Sequence, residues 1–96
     1  MIGKMHMSNG KKIFACCDKN LLNKSLVFND ATIELSPMFY GNAKITKKNF
    51  LEKINDCDSA NVFGKKACDV LISKKIISKD SLLLIDKVPH IQIYNI

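Results

Sequence analysis

The sequence contains no tryptophan and no arginine, and all fifteen of its Lys and Arg positions are therefore lysine. Lysine holds a phosphate as a point charge, whereas the planar guanidinium of arginine reads guanine edges through paired hydrogen bonds. Any nucleic-acid-binding role would therefore depend on the phosphate backbone and on shape. A low-GC genome that replaces arginine by lysine throughout is the alternative explanation for this composition.

Long apolar runs are also absent, and none approaches the roughly 20 residues that cross a bilayer. The segment Met1 to His6 lacks the apolar core and the cleavage site of a signal peptide. We therefore expect a cytoplasmic protein with no membrane partner. Its four cysteines are predicted to be reduced thiols, since the cytosol disfavours disulfides.

Motifs for metals and for catalysis are missing as well. There is no C-x-x-C or H-x-x-x-H pair, and the four glycines are too isolated to form a phosphate-binding loop. The sequence predicts no metal site, no cofactor and no catalytic residue, and enzymatic activity stays open with the balance against it. A cysteine nucleophile at Cys17 or Cys57 acting with His90 would need a proximity that the sequence does not reveal.

The composition is that of a folded domain with a basic surface. Hydrophobic residues make up 47% of the 96 residues, which is more than a disordered chain carries, and we predict one domain over residues 1–96. The net charge of +6 favours polyanionic partners.

The first half of the chain predicts two hairpins. Asn9-Gly10 supplies the positive φ angles of a tight turn between strands at residues 4–8 and 11–17. The second strand is apolar on both faces, which predicts a central position in a covered sheet. A further strand at residues 32–36 is expected to pair with residues 26–28.

Capping residues predict the helices. Asp18 is expected to cap a short helical turn over residues 19–23, and Thr46 to cap a helix that ends near Asp56. A second helix is predicted after Asp58-Ser59 and runs to about Lys75, with Gly64 inside it marking a close backbone approach.

The carboxyl-terminal segment predicts a hairpin of residues 82–85 and 88–94 that turns at Asp86-Lys87. The predicted order is β-β-(short α)-β-α-α-β-β. This order predicts an α+β fold, a mostly antiparallel mixed sheet with two main helices on one face. Strand order and oligomeric state are not predicted.

An RNA-binding surface is predicted around the segment Phe39-Tyr40-Gly41. An exposed Tyr40 ring could stack on a base while nearby lysines neutralise phosphates. The alternative is that both aromatic rings close the end of the core and that the lysines are merely solvated. The candidate RNA-binding residues are Tyr40, Lys44, Lys47, Lys48, Lys65 and Lys66.

A second candidate site is a polar cluster formed by Asn61, His90 and Gln92. His90 and Gln92 alternate along one predicted strand and so share a face, where they could hold a polar ligand. The competing interpretation is that they satisfy carbonyl groups of the turn at residues 39–41. Asn61, placed at a helix start, could cap that helix or contribute to an anion site.

Several short motifs in order carry a family resemblance. They are Ala15-Cys16-Cys17-Asp18 followed by Leu21-Leu22, Phe39-Tyr40-Gly41, Ala60-Asn61-Val62-Phe63-Gly64 and Val88-Pro89-His90-Ile91-Gln92. With them the chain resembles the small archaeal proteins grouped as domain of unknown function family 424. The resemblance implies an archaeal, cytosolic, single-domain protein with no settled activity and a suspected link to translation. The absence of arginine puts any arginine-dependent role in doubt.

Three functions follow as hypotheses. The first is a non-catalytic protein that associates with RNA or the ribosome and is linked to translation. The second is a protein-interaction accessory module of the translation machinery, with a translation factor as its partner. The third is a small-molecule-binding enzyme centred on His90, which a shared concave pocket joining Asn61, His90 and Gln92 would favour.

Overall fold

The chain forms seven strands and three α-helices over residues 1–95, the part that this computed structural model describes. In chain order the elements are β1 (Ile2–Ser8), β2 (Lys11–Cys17), a 3₁₀ turn (Lys19–Leu21), β3 (Ser25–Phe28), β4 (Ala31–Glu34), α1 (Pro37–Tyr40), α2 (Lys47–Asp56), β5 (Ser59–Phe63), α3 (Lys65–Ser73), a 3₁₀ turn (Lys79–Ser81), β6 (Leu83–Ile85) and β7 (Val88–Tyr94).

The main sheet has five strands in the order β1-β2-β5-β7-β6. Strands β2 and β5 run parallel, and every other neighbouring pair in the sheet is antiparallel. Asn9 and Gly10 both have positive φ in the turn between β1 and β2, which confirms the predicted hairpin. The predicted central position of β2 is confirmed too.

Each face of the main sheet carries its own apolar core. On one face α2 and α3 contribute Phe50, Ile54, Ala67 and Leu71, which pack on Phe14 and Val62 of the sheet. The other face is covered by the β3–β4 hairpin and α1. The predicted α+β class, with both main helices on one face, is thus confirmed. None of the helices within residues 1–95 has the length and apolar character needed to span a bilayer.

The two later hairpins form as predicted. Strands β3 and β4 pair with Leu26 opposite Ile33, and Asn29 and Asp30 take positive φ in their turn. They make a separate two-stranded sheet rather than an extension of the main one. Strands β6 and β7 pair through the predicted turn at Asp86-Lys87.

The predicted second helix is wrong in its first part, because Ser59–Phe63 is strand β5 and the helix begins at Lys65. Strand β5 lies between β2 and β7 and is covered on both faces, with Val62 in one core and Phe63 in the other. A strand covered on both faces loses the alternation of apolar and polar residues that identifies a half-buried strand. The same run of apolar residues therefore also fits a helical period.

Gly64 marks the boundary between β5 and α3 instead of lying inside a helix. Its φ is +116° and it precedes the first turn of α3. The predicted close approach at Gly64 is confirmed, since a Cβ atom there would lie 2.7 Å from Oδ1 of Asp18.

Asp18 caps α3 and not the 3₁₀ turn that follows it, which corrects the prediction from sequence. Its Oδ2 accepts a hydrogen bond from the backbone N–H of Lys66 and its Oδ1 one from Ala67, both at 2.9 Å. The 3₁₀ turn receives no side-chain cap. Thr46 does cap α2 as predicted, accepting a hydrogen bond from the Asn49 N–H at 3.1 Å. Asp18 thus ties the end of β2 to the start of α3.

Candidate functional site

A basic concave surface lies where β2 and β5 end. These strands are parallel, so their carboxyl ends meet at one edge of the sheet, the place where open α/β sheets hold ligands. Lys19 follows β2, and Lys65 and Lys66 follow β5. The concavity has a volume of about 600 Å³ and is lined by Met1, Asp18, Lys19, Asn20, Lys65 and Lys66.

The segment that leads into α2 reaches the same edge. The backbone N–H of Ile45 donates to the carbonyl of Met1 at 3.0 Å, and Lys44 lies opposite Ile2. The neighbouring ammonium of Lys44 lowers the pKa of Lys19 from its ordinary value. We call Lys19, Lys44, Lys65 and Lys66 the lysine surface.

Both main helices begin with two lysines, Lys47-Lys48 in α2 and Lys65-Lys66 in α3, and neither has an acidic residue in its first turn. The amino end of a helix is its positive pole, where acidic residues are the stabilising choice. Lysines at these positions raise the positive potential further at the expense of stability. Such an arrangement attracts anions at α2, whereas the carboxylate of Asp18 already occupies the positive pole of α3.

Within residues 1–95, one of the four ammonium groups of the lysine surface forms an ion pair. Lys65 binds Asp69 at 2.7 Å, and this hydrogen bond raises the pKa of Lys65. Within residues 1–95 the ammonium groups of Lys19, Lys44 and Lys66 have no carboxylate partner. Lys19 is the member that the sequence did not single out, because only the parallel pairing of β2 with β5 brings it beside Lys65 and Lys66.

The opposite face of the sheet from α2 and α3 carries a second concavity of about 580 Å³, which we call the His90 cavity. It lies between β5, β6 and β7 on one side and the β3–β4 hairpin with α1 on the other. Its apolar wall is made by Phe28, Ile33, Phe39, Phe63, Leu83 and Ile85. Its polar groups come from Glu34, Tyr40, Asn61, His90 and Gln92. The predicted cluster of Asn61, His90 and Gln92 therefore does share one concave site.

His90 is held rigidly in this cavity. Its ring is 5% exposed and stacks on Phe63 with centroids 4.0 Å apart, and its Nδ1 lies 2.9 Å from the carbonyl oxygen of Val62. A carbonyl only accepts, so Nδ1 carries the hydrogen. Burial lowers the pKa of His90 from its ordinary value. The alternative prediction paired His90 with a carbonyl of the turn at residues 39–41. The carbonyl oxygen of Phe39 instead lies 2.6 Å from Nε2 of His6.

Tyr40 belongs to the His90 cavity and not to an exposed loop. Ser36-Pro37 starts the short helix α1, which turns Tyr40 inward until only 3% of it is exposed. The prediction of an exposed Tyr40 ring stacking on a base is wrong for this reason. Its hydroxyl donates to Oδ1 of Asn61 at 3.5 Å, and burial raises its pKa.

Asn61 lies in the middle of β5, so its predicted place at a helix start is also wrong. It pairs with Gln92 of β7 in the antiparallel register. The residues of this cavity that the sequence did not suggest are its apolar wall and Glu34. The β3–β4 hairpin brings Phe28, Ile33 and Glu34 there by folding over the sheet, and α1, β5 and β6 supply the other apolar residues.

The lowered pKa of His90 predicts a pH dependence of stability. The unfolded chain takes up a proton near pH 6.5, whereas the folded chain resists it. Stabilisation from neutral His90 is therefore full above pH 6.5 and is lost as the pH falls through the pKa of the folded state. We expect urea-unfolding free energies to decline from about pH 7.5 to about pH 5, and less steeply in His90→Gln. A decline removed by His6→Gln, and kept by His90→Gln, would contradict this assignment.

Within residues 1–95, no three His, Cys, Asp or Glu side chains are close enough to hold a metal ion. The four cysteines are free and buried. Burial raises the pKa of Cys17 to about 11 and that of Cys68 to about 12, so neither thiol is poised as a nucleophile at neutral pH.

Comparison with known proteins gives a family and a fold. The family described as "Protein of unknown function (DUF424)" matches residues 6–96. Among solved structures, the chain is similar to an uncharacterized conserved protein from Methanopyrus kandleri, with a TM-score of 0.81 and 24% identity over 97% of this chain and 89% of that one. At this identity the likeness shows the fold alone. No curated protein matches the chain.

Proposed function

Since this chain belongs to the DUF424 family of proteins of unknown function, its function has to be inferred from its surface, and we propose that the protein binds the phosphate backbone of RNA. The RNA that we propose in the first place is ribosomal RNA. The observation that carries the proposal is a concavity at one edge of the sheet that Lys19, Lys65 and Lys66 line, with Lys44 beside Lys19.

The chemistry of the lysine surface suits phosphates. Three of its four ammonium groups have no carboxylate partner within residues 1–95. The lysines at the start of α2 add to the positive pole of that helix, whereas the positive pole of α3 is capped by the carboxylate of Asp18. Arginine is absent, so the proposed contacts neutralise phosphates and follow the shape of the RNA without reading base edges.

Lys19→Ala combined with Lys66→Ala is expected to weaken RNA binding strongly at low salt. Each lysine that neutralises a phosphate contributes about 0.7 to 0.9 to the slope of log affinity against log salt. The double variant should therefore lower the slope by roughly 1.5. Fluorescence anisotropy with a structured ribosomal RNA fragment, over a series of salt concentrations, measures both quantities.

The matched control removes the same charge elsewhere. Lys74 follows the last turn of α3 and Lys79 lies in the second 3₁₀ turn, and both are exposed. Lys74→Ala with Lys79→Ala should leave the affinity and the slope close to those of the parent. Equal losses in the two double variants would mean that net charge alone attracts RNA, and the proposed site would be wrong.

Association with the ribosome itself has a direct assay. The protein should sediment with ribosomes at low salt, and moderate salt should release it. A protein that stays free of ribosomes at low salt, and that retains no RNA on purification, would rule the proposal out.

A protein partner is the second candidate, and the edge strand β6 favours it. Within residues 1–95 this strand pairs with β7 alone in the main sheet, and it exposes Leu83 and Leu84 to solvent. An unpaired edge with apolar side chains can accept a strand from another protein. Affinity capture from the native host after nuclease treatment separates the two candidates, because a direct protein partner survives nuclease and an RNA-bridged partner does not.

A further inference from the structure

The His90 cavity contains a hydrogen-bond acceptor without a partner. Because Nδ1 of His90 donates to Val62, the neutral ring keeps a lone pair on Nε2. Every fully buried side-chain nitrogen or oxygen within residues 1–95 has a hydrogen-bond partner, whereas Nε2 of His90 has none. Nε2 is therefore not fully buried, although His90 as a whole is only 5% exposed. A ligand can reach Nε2 through the cavity that His90 lines.

Hydrogen-bond donors line the same cavity as this acceptor. The carbonyl oxygen of Asn61 accepts from the Tyr40 hydroxyl, and that of Gln92 accepts from the Tyr94 hydroxyl at 3.3 Å. These contacts leave the NH₂ groups of both amides free to donate. Asn61 and Gln92 are opposite each other in the β5–β7 register, and His90 lies two residues before Gln92 on the same face of β7.

The rest of the cavity selects against anions and for flat shape. Among the residues that the structure describes, no lysine lines the cavity, and the one carboxylate in its lining, that of Glu34, is exposed. An anion would therefore meet no compensating charge. The walls include the rings of Phe28, Phe39 and Phe63, which suit a planar ligand. A volume of about 580 Å³ lies within the usual range for a small-molecule site.

We propose that the His90 cavity binds an uncharged planar heterocycle through a ring N–H that donates to Nε2 of His90 and an adjacent carbonyl that accepts from the amides of Asn61 and Gln92. Uracil and guanine have this edge, a ring N–H next to a carbonyl. Adenine and cytosine lack it, since their pairing-edge ring nitrogen is an acceptor. The inference rests on the cavity alone and does not depend on the lysine surface.

Free nucleosides test the proposal, because they contain no phosphate and cannot report on the lysine surface. Uridine and guanosine are titrated into protein with ¹⁵N-labelled histidine, next to 3-methyluridine and 1-methylguanosine, in which a methyl group replaces the donating hydrogen. At least one parent nucleoside should bind and shift the Nε2 resonance of His90. Its methylated partner should bind about tenfold more weakly or worse, as the loss of a buried hydrogen bond predicts.

A variant of the protein supplies the second arm. Gln92 is exposed, so Gln92→Leu should fold like the parent while binding the nucleoside several-fold more weakly. Lys74→Ala is the matched surface control and should bind normally. The proposal fails if neither nucleoside binds at up to about 10 mM. It also fails if methylation makes no difference or if Gln92→Leu binds as tightly as the parent.

Discussion

Gly64→Ala is expected to lower the free energy of unfolding by about 4 kcal/mol, from a strained backbone and from overpacking against a neighbour. An alanine at φ +116° is strained whatever the space around it, and its Cβ would overlap the carboxyl group of Asp18. Asp18 cannot move away freely, because two backbone N–H groups of α3 bind its oxygens. In a domain of this size, the melting temperature should fall by roughly 20 °C.

Gly10→Ala is the matched control for this substitution. Gly10 also has a positive φ, +76°, but a Cβ atom there would meet nothing within 4 Å. The cost should be only that of the backbone conformation, about 1 kcal/mol. Urea denaturation of the two variants measures both values. Similar losses in Gly64→Ala and Gly10→Ala would show that the contact with Asp18 has no energetic weight.

The second large effect is expected at Asp18 itself. Asp18→Ala removes the acceptor for two N–H groups in the first turn of α3, one of them buried, and should cost about 2–3 kcal/mol. Asp18→Asn keeps one acceptor oxygen and should cost about half as much. Thermal and urea unfolding of both variants gives these values.

Combining the two sites tests the physical reason for both effects. Once Asp18→Ala has removed the carboxyl group, an alanine at position 64 no longer meets it. The double variant should therefore be more stable than the sum of the two single losses implies, by about 1–3 kcal/mol. Strictly additive losses would mean that Gly64 is required for its backbone conformation alone.

Local chemistry predicted the parts of this fold that neighbouring residues decide. Asn9-Gly10, Asn29-Asp30 and Asp86-Lys87 each supply two consecutive positive φ angles, and all three are turns. Thr46 needs only the N–H of Asn49 to cap α2. These features depend on contacts between residues that are close in the sequence, so local sequence patterns predict them.

The sequence prediction was wrong for elements whose structure depends on pairing with residues far away in the chain. Strand β5 is covered on both faces, so its apolar residues carry no period that separates a strand from a helix. Gly64 held the missing signal, since it is unfavourable inside a helix and natural at a boundary. Ser36-Pro37 held another, because proline is favoured in the first turn of a helix and its presence there turns Tyr40 inward.

The two candidate sites differ in how far sequence alone could reach them. Alternation along β7 already places His90 and Gln92 on one face, whereas Asn61 joins them through strand β5 and not from the predicted helix start. One wall of the His90 cavity comes from the β3–β4 hairpin, and no local sequence pattern indicates that this hairpin lies over the sheet. Lys19 joins Lys65 and Lys66 only through the parallel pairing of β2 with β5.

That parallel pairing also dictates when the parts of the domain can assemble. The β1–β2 and β6–β7 ribbons close through two-residue turns, an event that takes microseconds. Strand β5 joins these ribbons, and it can reach β2 only after residues 18–58 have closed as a loop. Its docking is therefore expected to limit the folding rate. Until it arrives, one edge of β2 and one edge of β7 stay open, and crowded folding intermediates would associate through them.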